Sequence, residues 1–119
     1  MREIKEHQTN EANGTIELVA IDEPGDGGAN HVYQAAWAGG TKFVQFHFQE
    51  GPIQKVGVNG ITQEALIAVC IDRLRGFQAG KFACHENQKA LNSLEAALGW
   101  LKSRTQDRKS RGVKGTHEL

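Results

Sequence analysis

The stretch Phe77-Gln-Ala-Gly-Lys-Phe82-Ala-Cys-His-Glu-Asn87, continuing through Trp100-Leu-Lys-Ser-Arg104-Thr-Gln-Asp-Arg108-Lys-Ser-Arg111-Gly-Val-Lys-Gly115, decides the fold. On both sides of its short Gly-containing link, apolar residues recur at spacings of three and four, as on amphipathic helices. Upstream, Leu66, Val69, Cys70, Arg73, Leu74 and Phe77 follow that spacing. Thr62 reads as the N-cap, with Glu64 in the first turn, where the helix dipole favours a carboxylate. Ile61 and Leu66 take the N′ and N4 places of a hydrophobic staple. Gly80 reads as the stop. Downstream, Asn87, Ala90, Leu91, Leu94, Ala97, Leu98 and Leu101 form a narrow seam, closer to a coiled-coil stripe than to a broad buried face. That helix is expected over 83–108, roughly 39 Å at 1.5 Å per residue. Two helices joined this way make an αα-hairpin.

Working outward, the first half reads as strands. Residues 15–21 alternate weakly, and His31-Val-Tyr-Gln-Ala-Ala-Trp37 and Lys42-Phe-Val-Gln-Phe-His-Phe48 are rich in β-branched and aromatic residues. Turn material at 23–28 and at Gly39-Gly40 separates them, and short connections favour an antiparallel meander. Val44, Phe46 and Phe48 share one face, which something must cover; Gln45, His47 and Gln49 share the other. Gly51-Pro52 ends the strand region, and Asn59-Gly60 marks a turn. The expectation is an α+β chain of one domain. An antiparallel β-sheet over 15–50 precedes a helical hairpin over 61–110 and a C-terminal tail over 111–119. A three-stranded sheet and one hairpin bury little, so self-association along the helical seam is expected, giving a homodimer or a multiple of one.

The chain has 119 residues, with 14 basic and 14 acidic side chains, so the global electrostatic drive toward a nucleic-acid polymer or an anionic membrane is absent. The charge is uneven: between 102 and 114, Lys102, Arg104, Arg108, Lys109, Arg111 and Lys114 face Asp107 alone. One end is therefore a local anion attractor. Cys70 and Cys84 stand outside any CxxC or CxH setting, which points away from a metal or redox site and toward buried free thiols in a reducing compartment. The N-terminus lacks the pattern of a signal peptide, and no apolar run approaches the ~18 residues of a membrane span. A cytoplasmic protein without membrane contact is expected.

The decisive stretch also carries the candidate site. Phe77 and Phe82 flank the link; they either stack on a base or plug the hairpin turn as core. Asn87 lies one turn into the second helix and either reads a polar base or ribose edge or sets register as a coiled-coil asparagine. Arg104, Arg108 and Arg111 fall at i, i+4 and i+7, where guanidinium forks suit phosphate oxygens and where a helix C-terminus also attracts cations. Lys102 and Lys109 read as a solvated face. Gly112 and Gly115 sit in a tail that either offers backbone N–H groups to phosphate or frays. It is not a Walker loop, because the spacing is wrong and no strand precedes it. The scattered histidines 7, 31, 47, 85 and 117 read as surface residues. His85 and Glu86, adjacent in sequence, point to different sides of a helix, so they make a weak acid–base pair. No catalytic residue, metal site or cofactor is expected.

The run Gly51-Pro-Ile, Asn59-Gly-Ile-Thr62, Phe77-Gln-x-Gly-x-Phe82-Ala, Glu86-Asn87, Leu94-Glu, Trp100-Leu, Arg104-Thr, Arg108 and Arg111-Gly-Val-x-Gly-Thr116 resembles the phage Thoeris anti-defence one family. That family shares its helical hairpin with an anti-CBASS protein of the same kind. The resemblance covers about residues 48–116 and is carried by many spaced matches; the N-terminal sheet matches only loosely. It implies a sponge that binds nucleotide immune second messengers without degrading them, in the cytoplasm of an infected bacterial host. The implied ligands are glycocyclic ADP-ribose isomers of Thoeris and, for some members, cyclic oligonucleotides of CBASS. It also implies homodimers, with some members assembling into hexamers as trimers of dimers, and a tail that closes over ligand. Lys114 stands where many relatives have an acidic residue, and 81–88 has its own filler residues; both leave ligand preference open.

Two other classes compete with a sponge. A messenger-cleaving enzyme needs a base or metal, for which the sequence offers only His85, Glu86 and His47. A small phage nucleic-acid-binding regulator would use the basic tail, against a neutral net charge.

Overall fold

A computed structural model describes residues 1–9 and 11–110 of the chain. They form strands β1 (Arg2–Ile4), β2 (Glu17–Ala20), β3 (Val32–Trp37) and β4 (Lys42–His47) and helices α1 (Glu11–Thr15), α2 (Ile53–Val56), α3 (Gln63–Gln78) and α4 (His85–Ser110). The fold is α+β, as the sequence predicts: an N-terminal antiparallel sheet, then a helical hairpin. Two compact units divide at Ile61 and Thr62.

In the first unit the sheet runs β1-β2-β3-β4, every neighbour antiparallel. It has one strand more than expected. The added β1 pairs Arg2 with Ala20 and Ile4 with Leu18, and it is too short and too charged to announce itself in sequence. Register places Tyr33 opposite Phe46. These two rings stack at 5.8 Å between centroids, and Phe48 meets both edge-on, at 5.6 and 5.8 Å. The expected apolar face of the last strand thus carries an aromatic cluster, while Gln45 and Gln34 bond each other on the opposite face at 2.8 Å. Val44 stays exposed.

The β2–β3 connection is organised by Asp22. Its carboxylate accepts the backbone N–H groups of His31 and Val32 at 3.0 to 3.1 Å. The buried Asn30 donates to the Asp22 carbonyl and accepts from Arg2 at 2.7 Å. Partial burial pushes the Asp22 carboxyl up, but the N–H groups of Val32 and His31 outweigh it and hold the group below its ordinary value.

After β4, the Asn59-Gly60 turn is fixed by side-chain amides. Asn59 accepts the Glu50 N–H at 2.9 Å and donates to the Glu50 carbonyl at 2.7 Å, while Gln49 Oε1 accepts the Asn59 N–H at 2.9 Å. Gly60 is required by close approach: a Cβ there would lie 2.5 Å from the Phe48 carbonyl carbon.

In the second unit, Thr62 caps α3 as expected, its hydroxyl accepting the Ala65 N–H at 3.1 Å. The end differs from expectation. α3 stops at Gln78 with Ala79 in right-handed conformation, so Gly80 supplies no left-handed cap. Instead the Gln78 amide clips the turn: its Oε1 accepts the Cys84 N–H at 3.0 Å and its Nε2 donates to the Cys84 carbonyl at 3.1 Å. Ile71 of α3 and Leu91 of α4 are buried between the helices, with Leu66, Leu74, Leu94, Leu98 and Leu101 partly covered around them. The Arg75–Glu95 ion pair spans the helices at 2.7 Å; both partners are largely exposed, so it contributes at most about 1 kcal/mol. The expected seam on α4 is thus covered in part by α3 of the same chain. Trp100, 76% exposed, and Val69 remain bare.

Both thiols are exposed, which corrects the expectation of buried cysteines. Cys70 lies on the outer surface of α3, and Cys84 sits before α4, where its sulfur accepts the Asn87 N–H at 3.4 Å in the manner of an N-cap. No helix among the described residues is long and apolar enough to cross a membrane.

Candidate functional site at the hairpin tip

The turn between α3 and α4 brings three of the sequence-predicted site residues together. Phe77 closes the last turn of α3, Phe82 lies in the link, and Asn87 stands in the first turn of α4. The two rings meet edge to face, 6.4 Å between centroids at 84°. They do not plug a core: Phe77 is 39% and Phe82 is 66% exposed. Flat aromatic surface therefore faces outward at the tip of a rigid, doubly clipped turn. Asn87 is half-buried beside it, its Nδ2 directed to the Phe82 carbonyl at 3.5 Å. Among the described residues nothing donates to the Asn87 Oδ1, which leaves an acceptor next to the ring.

Two cations were not singled out by sequence. The Arg73 guanidinium lies 5.5 Å from the Phe77 centroid, and the Lys81 ammonium lies 5.5 Å from that of Phe82. At exposed sites each such contact contributes about 0.5–1 kcal/mol. Its larger consequence is chemical: each ring has a positive charge beside it, as an anionic aromatic ligand would require. Arg73 is four residues before Phe77, a spacing that puts both on one helix surface; that was the readable signal. Gln78, which holds the turn, was missed because its partner is set by the link's path.

The basic end is elsewhere. Arg104 is exposed and Arg108 half-buried on the last turns of α4. On one helix, Asn87 and Arg108 are about 31 Å apart at 1.5 Å per residue. Within one chain, the aromatic tip and the arginines therefore do not form one pocket. Arg111, Gly112 and Gly115 lie outside the described residues. A groove of about 400 Å³ lies between the helices, lined by Ile71, Arg75, Glu95, Leu98 and Gly99 among others, and it includes none of the predicted site residues.

Of the histidines, His47 and His85 are exposed as expected. His7 and His31 are not surface residues: His7 is half-buried with Nε2 at 2.8 Å from the Ile16 carbonyl, and His31 is half-buried beside Asp22.

The family comparison falls on the part of the chain that holds the hairpin. The family model described as Acb2/Tad1, hairpin domain, matches residues 42–106, from β4 through most of α4. A protein of Bacillus phage SBSphiJ7 named Thoeris anti-defense 1 is 49% identical over 77 residues, covering 65% of this chain and 54% of the relative. The chain thus spans about half the length of that curated relative. With more than half of its residues inside the family match, and with the hairpin in place, the chain belongs to the Acb2/Tad1 hairpin-domain family.

Proposed function

We propose that this protein is a phage anti-defence sponge that sequesters nucleotide immune second messengers in the infected host's cytoplasm and does not cleave them. Glycocyclic ADP-ribose of Thoeris is the first ligand class, and cyclic oligonucleotides of CBASS are the second. The observation that carries this reading is the tip of the hairpin, where exposed Phe77 and Phe82, each with a cation beside its ring, adjoin the half-buried Asn87. Base stacking on such a platform contributes about 1–3 kcal/mol per base, and the Asn87 amide supplies an edge for hydrogen bonding. The relative named Thoeris anti-defense 1 supports the anti-Thoeris role. A sponge needs affinity rather than turnover: present in excess of messenger, with a Kd far below the messenger concentration, it starves the downstream effector by mass action.

In this reading the pocket is composite. The distance along α4 places the phosphate contacts of Arg104, Arg108 and Arg111 out of reach of a nucleotide stacked at the same chain's tip. A second copy, crossed or antiparallel, brings its own basic segment, with Gly112 and Gly115, over the first copy's Phe82 and Asn87. Exposed Trp100 and Val69 give the hairpin apolar surface for that association. The unit is then a homodimer, and a hexamer forms as a trimer of dimers. The sheet, hairpin and closing tail act together as one functional domain.

Native mass spectrometry with a panel of candidate messengers tests both parts, because it reports ligand and assembly together. The reading expects intact messenger on dimers or multiples of dimers. Ligand bound to a 13.0 kDa monomer would refute the composite pocket, and no binding across the panel would refute the sponge.

A further inference from the structure

The sheet unit holds a second polar constellation, apart from the hairpin tip. Asp22 two residues after β2, His31 just before β3 and Glu50 after β4 each offer one donor atom, and these atoms all lie within 4.8 Å of one another. His31 Nδ1 lies 3.9 Å from an Asp22 oxygen and 3.7 Å from a Glu50 oxygen. It is withdrawn from solvent and makes no hydrogen bond among the described residues. Both separations exceed the roughly 2.7–2.9 Å of a charge-assisted bond. A ring N–H shared with either carboxylate would draw that oxygen in; these donors instead surround a gap.

We propose that Asp22, His31 and Glu50 bind a divalent transition-metal ion, zinc being the best match. One imidazole nitrogen and two carboxylate oxygens are donors that zinc accepts. Tetrahedral zinc with bonds of ~2.0–2.1 Å sets its ligands about 3.3–3.4 Å apart. The two His31 Nδ1 separations need to close by about 0.3–0.6 Å and the Asp22 and Glu50 oxygens, within 4.8 Å of each other, by at most about 1.5 Å, and water completes the fourth position. The parts that must be fixed are fixed. Asp22 is held by the His31 and Val32 N–H groups. The imidazole lies against Gly25, where a Cβ would come within 2.6 Å of its Cε1, so only glycine leaves room for this ring position. The Glu50 backbone is clamped on both sides by Asn59. The Glu50 side chain is 62% exposed and supplies the needed movement. Outer support runs from Arg2 through Asn30 to the Asp22 carbonyl. Such supporting groups orient ligands and tune metal affinity. The bound ion would staple the β2–β3 connection to the segment that follows β4.

The test uses the full-length protein and zinc alone. The protein is equilibrated with excess zinc, dialysed into metal-free buffer, and assayed for retained metal by elemental analysis. Thermal unfolding with zinc and with chelator is recorded in parallel. One zinc per chain and a midpoint that rises with zinc concentration are expected. Glu50→Gln, a change on an exposed side chain, should weaken binding at least about tenfold while leaving the chelated protein's midpoint unchanged. His31→Gln should abolish retention, and Cys70→Ser and Cys84→Ser should leave it intact. With cobalt in place of zinc, no intense thiolate charge-transfer band is expected. Retention below about 0.1 ion per chain, retention that survives Glu50→Gln and His31→Gln, or retention that depends on either cysteine would each overturn the assignment.

Discussion

Replacing Phe82 by alanine separates ligand binding from folding. The ring is 66% exposed, so about a third of it is covered in the free protein. Full burial of such a side chain contributes about 1.5–3 kcal/mol, so truncation should destabilise the fold by only about 0.5–1 kcal/mol. A stacked base contributes about 1–3 kcal/mol, so the same change should weaken messenger binding by about 5- to 140-fold. The edge-to-face contact with Phe77 is lost too, adding about 0.5–1.5 kcal/mol to the burial loss, so the whole stability cost is about 1–2.5 kcal/mol. Isothermal titration with a Thoeris messenger reads binding, and urea unfolding reads stability. A large loss of affinity with a small loss of stability is the expected pair. Unchanged affinity would refute stacking at Phe82. A stability loss of about 3 kcal/mol or more would mean that the ring is core after all.

Three further outcomes are expected. Gly99, inside α4, has open space where a Cβ would stand, so Gly99→Ala should stabilise the hairpin by about 0.5–1 kcal/mol, read by urea unfolding of dilute protein; a destabilised variant would mean that this surface is packed against something. In chelator, the stabilisation supplied by the Asp22 carboxylate should be complete above its ordinary value of 3.8 and fade as pH falls through its lower folded-state value. The stability gap between wild type and Asp22→Asn should then shrink only on that acid side, and a gap that already shrinks between pH 7 and 5 would contradict it. Finally, an Asn87→Ala copy and an Arg104→Ala/Arg108→Ala copy should each bind poorly alone, yet their heterodimer should regain one of its two sites. No recovery in a verified heterodimer would place the pocket within one chain.

Local signals made much of the hairpin legible. Thr62, Glu64 and the spacing from Leu66 to Phe77 place α3 correctly, because capping and periodicity are written in adjacent residues. The clustering of Phe77, Phe82 and Asn87 was readable for the same reason: all three flank one short link. What sequence could not show depends on partners far along the chain. The strand at Arg2–Ile4 exists through pairing with Ala20 and Leu18. The stop of α3 depends on Gln78 reaching Cys84, where Gly80 looked sufficient. The cysteines read as buried free thiols because neither stands in a metal or redox motif, but both are exposed. Asp22, His31 and Glu50 match no metal-binding spacing, since strand register alone brings them together.

Sequestration without cleavage is tested most directly by recovering the ligand. Protein is incubated with a Thoeris messenger, freed of unbound nucleotide, and heat-denatured, and the released compound is identified by mass spectrometry. Release of intact messenger, in amounts matching the occupied sites, is expected. A product of changed mass would contradict it and make the protein an enzyme.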